Sequence, residues 1–518
     1  MNTDNPIFLI DFYKAGHIDQ YPKDIRRIWV NFTPRSTRVE GETGVIFFGL
    51  QRFIKKILLE QFNEHFFLRS WPIIEKGYTE VIQKTLGIAN PRIDHIKQLH
   101  QHGSLPLDIY ALPEGTHVPF GVPAVVIVNN RDWAFWLPNY IETMMSNNLW
   151  HACTSASTAH RFRRLFLKHA KAAGETDFSF VDWQGHDFSY RGMSGDEGAK
   201  LSGMGHLLSF SGTDTLPAIL DAHRYYHADL SVGGSVPATE HSVMCAGTKE
   251  SERETFRRLI QDVYKTGIVS IVSDTWDLWK VLTEIIPSLK DEILARDGKV
   301  VIRPDSGDPV KILTGDPNAI GPAHWGAMWL LANAVGVDGP RIPSPESGMW
   351  KIRKMGLIYG DSITVERADQ ILTKARREGF SPYNFVFGIG SYTYQYVTRD
   401  TYNFAFKATA VERWIEDVIY DEDGDGSKKV GVRKIEAIYK EPVTAGDFSK
   451  KSARGIPAVY MGRVGQGDVA GKLYVEETLN PADLDRCEFR MVFSTRLLVD
   501  EDFETIRKRV RTRDWERA

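Results

Sequence analysis

Seven short apolar runs between residues 178 and 390, recurring about every thirty residues, constrain this chain more than any other feature. They are FSFVDW (178–183), LLSFSGTD (207–214), SVPATEH (235–241), IVSIVSD (268–274), KVVIRPD (299–305), MGLIYGD (355–361) and NFVFGIG (384–390). Short β-branched runs of this kind read as strands. Most gaps hold helical patterns, among them 215–228, 255–266, 275–294 and 365–379. Strand and helix alternating at this period indicate parallel βα units, because a parallel pair needs a long crossover. Seven units favour a closed or nearly closed α/β barrel over an open sheet.

The flanks read differently. TGVIFFGLQRFIKKILLEQF (43–62) has the pattern of an amphipathic helix, and 132–170 that of one or two long helices. RWIEDVIYD and VRKIEAIYKEP alternate around the acidic turn 421–429 and read as a hairpin. That turn opens like a calcium loop, but Val432 stands where a bidentate Glu is required. Residues 310–354, rich in Gly and Pro, read as an insertion with one short apolar segment. The expected organisation is a barrel over 151–399 carrying the active site, and a mixed α/β domain built from 1–150 and 400–518.

A net charge of -3 argues against a general nucleic-acid binder. The N-terminus lacks the basic region of a signal peptide, and no run approaches the length of a membrane span. Three scattered cysteines suit reduced thiols, so a cytoplasmic protein is expected.

Each run ends in a polar residue or glycine: Asp182, Asp214, His241, Asp274, Asp305, Asp361 and Gly390. A single Asp at such a place is a good helix cap, and Asp308 in VVIRPDSGDPV reads that way. In βα barrels, however, the C-terminal strand ends build the active site. Several carboxylates on one rim with Arg303 and His241 therefore point to a ligand site. Arg303 offers a planar fork for phosphate. Asp274, Asp305 and Asp361 offer hard oxygen for ribose hydroxyls or Mg²⁺. Glu240 precedes His241, whose imidazole suits acid–base or nucleophilic work near neutral pH. Arg191 lies in HDFSYRG with Phe188 and Tyr190, and FGIGSYTYQYVTRD adds Gly388, Gly390 and Arg399. The mixture points to a phosphorylated sugar beside a flat ring. No GxxxxGK[ST], HExxH or GxSxG motif is present, and no strand end carries the lysine a Schiff-base aldolase needs.

The blocks DFYKAGHIDQYP, HDFSYRG, SFSGTDT, SVPATEHS, VSIVSDTWD, VIRPDSGDP, IYGDSI and VTRDTYNFAFKAT, in that order, resemble the nicotinamide phosphoribosyltransferases. The resemblance covers nearly the whole chain and implies the type II phosphoribosyltransferase architecture, an irregular barrel plus an α/β domain. It implies conversion of nicotinamide and 5-phosphoribosyl 1-pyrophosphate to nicotinamide mononucleotide and diphosphate, for NAD salvage, with Mg²⁺ held through substrate phosphates and water rather than directly by the protein. It further implies a homodimer with shared active sites; the balanced charge and the lack of a long apolar run lead to the expectation of no nucleic-acid or membrane partner. Phe188 and Tyr13 of the partner subunit then sandwich the nicotinamide, Asp214 accepts from its NH₂, and Arg191 and Ser270 lie near the ring. Arg303, Gly360 and Gly390 meet phosphate, Asp305 and Asp361 hold ribose hydroxyls, and Arg35, Arg399 and Lys407 reach the pyrophosphate. His241 matches a histidine phosphorylated by ATP as co-substrate, with Glu240 and Asp274 orienting its ring. Gly390-Ser391-Tyr392 replaces consecutive glycines of the family, Gly356 replaces an arginine, and KKSAR (450–454) is a candidate source of replacement charge. The rivals are a nicotinate phosphoribosyltransferase, which Asp214 disfavours because it would repel a substrate carboxylate, and an inactive ligand-binding relative, which would not keep the rim intact.

Overall fold

Strands from the two ends of the chain pair with each other. The computed structural model describes residues 3–360, 362–420, 427–441, 453–463 and 466–512. It divides into two units: Met1–Thr154, Arg224–His227 and Thr398–Ile506 form the first, and Ser155–His223, Ala228–Val397 and Arg507–Ala518 the second.

In the first unit, Ile25–Pro34 lies in a six-stranded antiparallel sheet between Phe404–Tyr420 and Val125–Asn129. Ile28, Trp29, Val30 and Phe32 are buried on this strand, and Phe32 stacks on Phe404 at 5.2 Å. Joining residues almost four hundred positions apart carries a loop-closure cost, which only such a continuous apolar surface offsets. The expected 43–62 helix begins instead as strand Gly44–Ile46, paired with His117–Pro119. Helical backbone starts only at Leu50, after Gly49 at φ 105°. Glu114 then accepts from the N–H groups of Gly49 (2.8 Å) and Gln51 (2.6 Å), two donors a helix start leaves unpaired. Segment 132–170 forms the short helix Leu137–Tyr140 and the long helix Glu142–Ala172. The hairpin forms as expected, with Tyr420 opposite Ser427, while residues 421–426 of its acidic turn lie outside the described residues.

His95 is buried in this unit against the edge of Trp136, at 4.8 Å. Burial, aided by Arg92, pulls its pKa from 6.5 to about 4. The unfolded chain binds this proton near pH 6.5 and the folded one does not, so its contribution is complete above that pH and is lost as pH falls towards 4. The loss amounts to at most about 3 kcal/mol. Urea unfolding at pH 7.5 and pH ~5 should show a smaller drop in His95→Phe than in the parent; an equal drop would assign the acid limb elsewhere.

The second unit holds a six-stranded parallel sheet in the order Gly212–Thr213, Gly185–Asp187, Phe385–Ile389, Met355–Tyr359, Asp297–Arg303, Thr266–Val272. Single parallel bridges join Gly212 to Gly234 and Ala238 to Ser270, so segment 234–238 closes the ring between the two sheet edges. The strand expected at 235–241 is reduced to this bridging segment. Pro237 has no N–H to give a ladder; its carbonyl accepts from Ser270 and Thr239 N–H returns to Ser270 O. The architecture is thus an irregular α/β barrel.

Three further expectations shift. FSFVDW is not a strand: Val181–Gln184 is helical, and the strand begins at Gly185, where an added Cβ would lie 2.8 Å from the Phe210 ring. Asp182 consequently leaves the rim and pairs with Arg163 (2.6 Å) and Arg511 (3.1 Å). Of LLSFSGTD only Gly212–Thr213 is strand, since the residues before it end the buried helix Asp196–Leu207. The segment read as an insertion contains the helix Pro322–Val335, with Ala327, Met328 and Leu331 buried in the barrel core. It serves as a crossover, its pattern hidden by the surrounding Gly and Pro.

The C-terminal helix Phe503–Thr512 sends two arginines to the carbonyl end of Asp196–Leu207. Arg507 donates to Leu207 O (2.8 Å) and Val232 O (2.6 Å), and Arg511 to Leu208 O (3.4 Å) and Ser209 O (3.2 Å). Carbonyls that a helix end leaves unpaired are satisfied in this way. Among the described residues no helix is long and apolar enough to cross a membrane.

Candidate active site

Immediately beyond the strand ends lie Phe188, Asp214, Asp274, Asp305, Gly360 and Gly390, each one or two residues past a barrel strand. A parallel barrel places such residues on one rim. A cavity of about 880 Å³ is lined by Phe188, Arg191, Asp214, Glu240, His241, Arg303, Asp305 and Gly360. A second cavity of about 280 Å³ shares Phe188 and Asp214 and is otherwise mostly apolar, with Ser270 on its wall. Ser270 Oγ is buried without a hydrogen-bond partner.

Close backbone approach shapes the floor. A Cβ on Gly388 would sit 2.5 Å from Phe188 Cδ2 and 2.7 Å from Gly360 Cα, and one on Gly360 would sit 2.6 Å from Asp305 Oδ1. Only glycine lets the Phe188 ring and the Asp305 carboxylate occupy these places. Phe188 is further held by its N–H to Ile389 O and by His186, whose ring centroid is 4.7 Å away.

Asp214 receives two donors on one oxygen, His186 Nε2 at 2.9 Å and Ser235 Oγ at 2.5 Å. Burial alone would raise its pKa; the His186 hydrogen bond and charge, with Ser235 and the Arg303 guanidinium, outweigh it and leave the pKa lowered. The group is therefore an ionised acceptor at neutral pH.

The other half of the rim is a charged cluster. Arg303, 12% exposed, donates from Nη2 to Thr239 O (2.7 Å) and pairs through Nε with Asp305 Oδ2 (3.3 Å). Asp274 accepts on Oδ2 from Asp305 N–H (3.0 Å) and Ser306 Oγ (2.5 Å), while its Oδ1 is buried without a hydrogen bond. His241 begins the helix His241–Ala246; its Nδ1 lies 3.1 Å from Thr275 Oγ1, and its Nε2 lies 3.9 Å from both Asp274 Oδ1 and Asp305 Oδ2. Two carboxylates thus face one imidazole nitrogen. Glu240, expected to orient that ring, takes the Ser242 hydroxyl instead. Asp308 caps the next helix, accepting from Val310 N–H at 2.9 Å.

Gly390 has open space around a would-be Cβ and does not line the larger cavity; its carbonyl accepts from Thr393 and Tyr394 N–H. Asp361 lies outside the described residues, as do residues 450–452 of KKSAR. Tyr13, Arg35, Arg399 and Lys407 belong to the first unit. There Tyr13 is 62% exposed, and Arg35 donates to Asn403 Oδ1 at 2.7 Å. Desolvation and then Arg399 lower the Arg35 pKa; desolvation, then Arg35, Lys440 and Arg399, lower that of Lys407 against the opposing Glu142. Mutual depression of this kind marks concentrated positive charge.

Strand-end reasoning missed His186, Ser235, Thr275 and Ser306 as parts of the site. His186 and Thr275 sit inside quoted blocks, but their partners are distant in sequence and nothing local announces them.

The nicotinate phosphoribosyltransferase (NAPRTase) family model matches residues 183–424. Two crystal structures are similar in fold: a nicotinate-nucleotide pyrophosphorylase from Pyrococcus furiosus (TM-score 0.56, 12% identity, covering 100% of this chain and 97% of that one) and human nicotinic acid phosphoribosyltransferase (TM-score 0.52, 14% identity, 97% and 93%). The fold is that of a type II phosphoribosyltransferase. Among curated relatives, nicotinamide phosphoribosyltransferase of Acinetobacter baylyi is 46% identical over 469 residues, 87% of each chain. That of Mycoplasma pneumoniae is 31% identical over 423 residues, 78% of this chain and 88% of that one. The chain belongs to the nicotinamide phosphoribosyltransferase family.

Proposed function

We propose that this protein joins nicotinamide to 5-phosphoribosyl 1-pyrophosphate, forming nicotinamide mononucleotide and diphosphate. The observation that carries the reading is an ionised Asp214 in the same cavity as the Phe188 ring and the Arg303–Asp305 pair. Phe188 offers one face of a ring sandwich, and stacking there contributes about 0.5–1.5 kcal/mol beyond burial. Tyr13 of the partner subunit supplies the other face in a homodimer with shared sites. Asp214 accepts from the carboxamide NH₂, with Arg191 and Ser270 beside the base. Arg303 holds the sugar phosphate, with Gly360 and Gly390 near it, and Asp305 and Asp361 hold the ribose hydroxyls. Arg35, Arg399 and Lys407 draw off negative charge from the diphosphate as the glycosidic bond to it breaks and the ring nitrogen bonds the anomeric carbon.

The hard oxygens of Asp274 and Asp305, one of them buried without a hydrogen bond, fit Mg²⁺ carried on the diphosphate and held through its waters, where it would supply charge neutralisation for the leaving group. His241 takes the γ-phosphoryl group of ATP, a nitrogen–phosphorus bond replacing the phosphoanhydride bond as ADP leaves. Asp274 and Asp305 steady the charge that the imidazole gains, with Glu240 at the helix start. A cytoplasmic setting without membrane or nucleic-acid partners accords with a net charge of -3 and with Cys153, Cys245 and Cys487 lying outside any disulfide.

Product analysis with the pyrophosphate donor, Mg²⁺ and either base, with and without ATP, tests the reading; mononucleotide from neither base would sink it. Asp214→Asn should weaken nicotinamide use by about tenfold and improve nicotinate use, since a charge-assisted bond contributes about 1.5–3 kcal/mol and a carboxylate repels its like. Unchanged selectivity in a direct kinetic comparison would count against this role for Asp214.

A further inference from the structure

Two side chains outside the strand-end pattern converge on Asp214 Oδ1, His186 Nε2 at 2.9 Å and Ser235 Oγ at 2.5 Å. An ionised carboxylate only accepts, so the geometry requires His186 to present an Nε2–H. With Oδ1 taken twice, the acceptor left for a further donor is Oδ2. The same imidazole packs on the Phe188 ring, at 4.7 Å and 51° between planes. It is 7% exposed, and Gly212 admits it, since a Cβ there would lie 2.7 Å from His186 Nδ1. One buried side chain therefore touches both the aromatic wall and the amide acceptor.

We propose that His186, assisted by Ser235, sets the preference of this site for an amide over a carboxylate, as a positioning residue that fixes which Asp214 oxygen meets the base. The inference rests on the nicotinamide reading and deepens it. Asp214 alone is an ambiguous reader of a pyridine substituent. Ionised, it accepts from NH₂ and repels a carboxylate; protonated, it donates, and the preference inverts. The charged or titratable groups acting on it are His186 and Arg303, with the Ser235 hydroxyl as the other donor. Without the His186 donor, desolvation gains weight and the neutral form extends to higher pH.

The test compares His186→Phe, which keeps a flat ring against Phe188 but removes the donor, with His186→Gln, which restores an N–H at similar reach. Calorimetric titration with nicotinamide and with nicotinate is run alongside steady-state kinetics from acidic to neutral pH. His186→Phe should bind nicotinamide about tenfold more weakly and lose its discrimination against nicotinate. Its KM for 5-phosphoribosyl 1-pyrophosphate and its ATP turnover should stay at the parent values. The pH below which nicotinamide binding fails should move upward, and His186→Gln should recover most of the loss. Equal nicotinamide affinity in His186→Phe and the parent overturns the proposal. So does a parallel rise in KM for both substrates that His186→Gln does not rescue, which would mark a purely structural residue. Ser235→Ala, at an exposed position, reads the same preference if His186→Phe fails to fold; unchanged selectivity there again overturns it. A parent that makes mononucleotide from neither base refutes the nicotinamide reading itself; an active parent with unaltered variants refutes only the role of His186.

Discussion

Arg303→Ala is expected to lower kcat/KM for 5-phosphoribosyl 1-pyrophosphate by about a hundred- to a thousandfold, or about 3–4 kcal/mol. Three losses combine. The phosphate loses a planar cationic fork. Asp305, 3.3 Å from Arg303 Nε, loses its counter-charge beside the place where the substrate's own negative charge must enter. Thr239 O loses the Nη2–H donor that ties the barrel-closing segment to the strand Asp297–Arg303. Removing one member of a mostly desolvated pair is costly because the other charge stays behind. Arg303→Lys should recover charge without the fork and stand between the two. Steady-state kinetics with the pyrophosphate varied decides the matter: an unchanged KM for that substrate would remove Arg303 from phosphate binding.

His241→Ala is expected to bring ATP hydrolysis to background while mononucleotide synthesis persists at a reduced rate. The imidazole is half exposed at the first position of a helix, so its removal leaves the fold largely untouched. It also leaves Asp274 and Asp305 facing one another without the group between them, which should weaken capture of an anionic substrate. An acid-labile phosphoenzyme, formed by the parent with ATP and missing from the variant, is the direct readout. ATP turnover persisting in His241→Ala would rule the phosphohistidine out.

Much of the site was legible because barrel geometry converts a linear pattern into a spatial one. Polar residues just past successive parallel strands must share a rim, so Asp214, His241, Arg303 and Asp305 could be gathered from the sequence alone. The errors have physical causes as well. FSFVDW and SVPATEH have the local composition of strands, but Gly185 and Pro237 decide where the backbone can pair, through a ring packed on one and an N–H missing from the other. Helix Pro322–Val335 was masked by the Gly- and Pro-rich sequence around it.

By itself, then, the sequence determined the repeat, the rim and the chemical types of its residues, since these follow from periodicity and side-chain chemistry. Only the tertiary structure decided which groups act on which. Thr275 rather than Glu240 holds His241, His186 and Ser235 load one oxygen of Asp214, and Gly388 makes room for Phe188. Such pairings bring together residues on separate βα units, up to two hundred positions apart, and hydrogen bonds over that span are set by packing rather than by any local pattern.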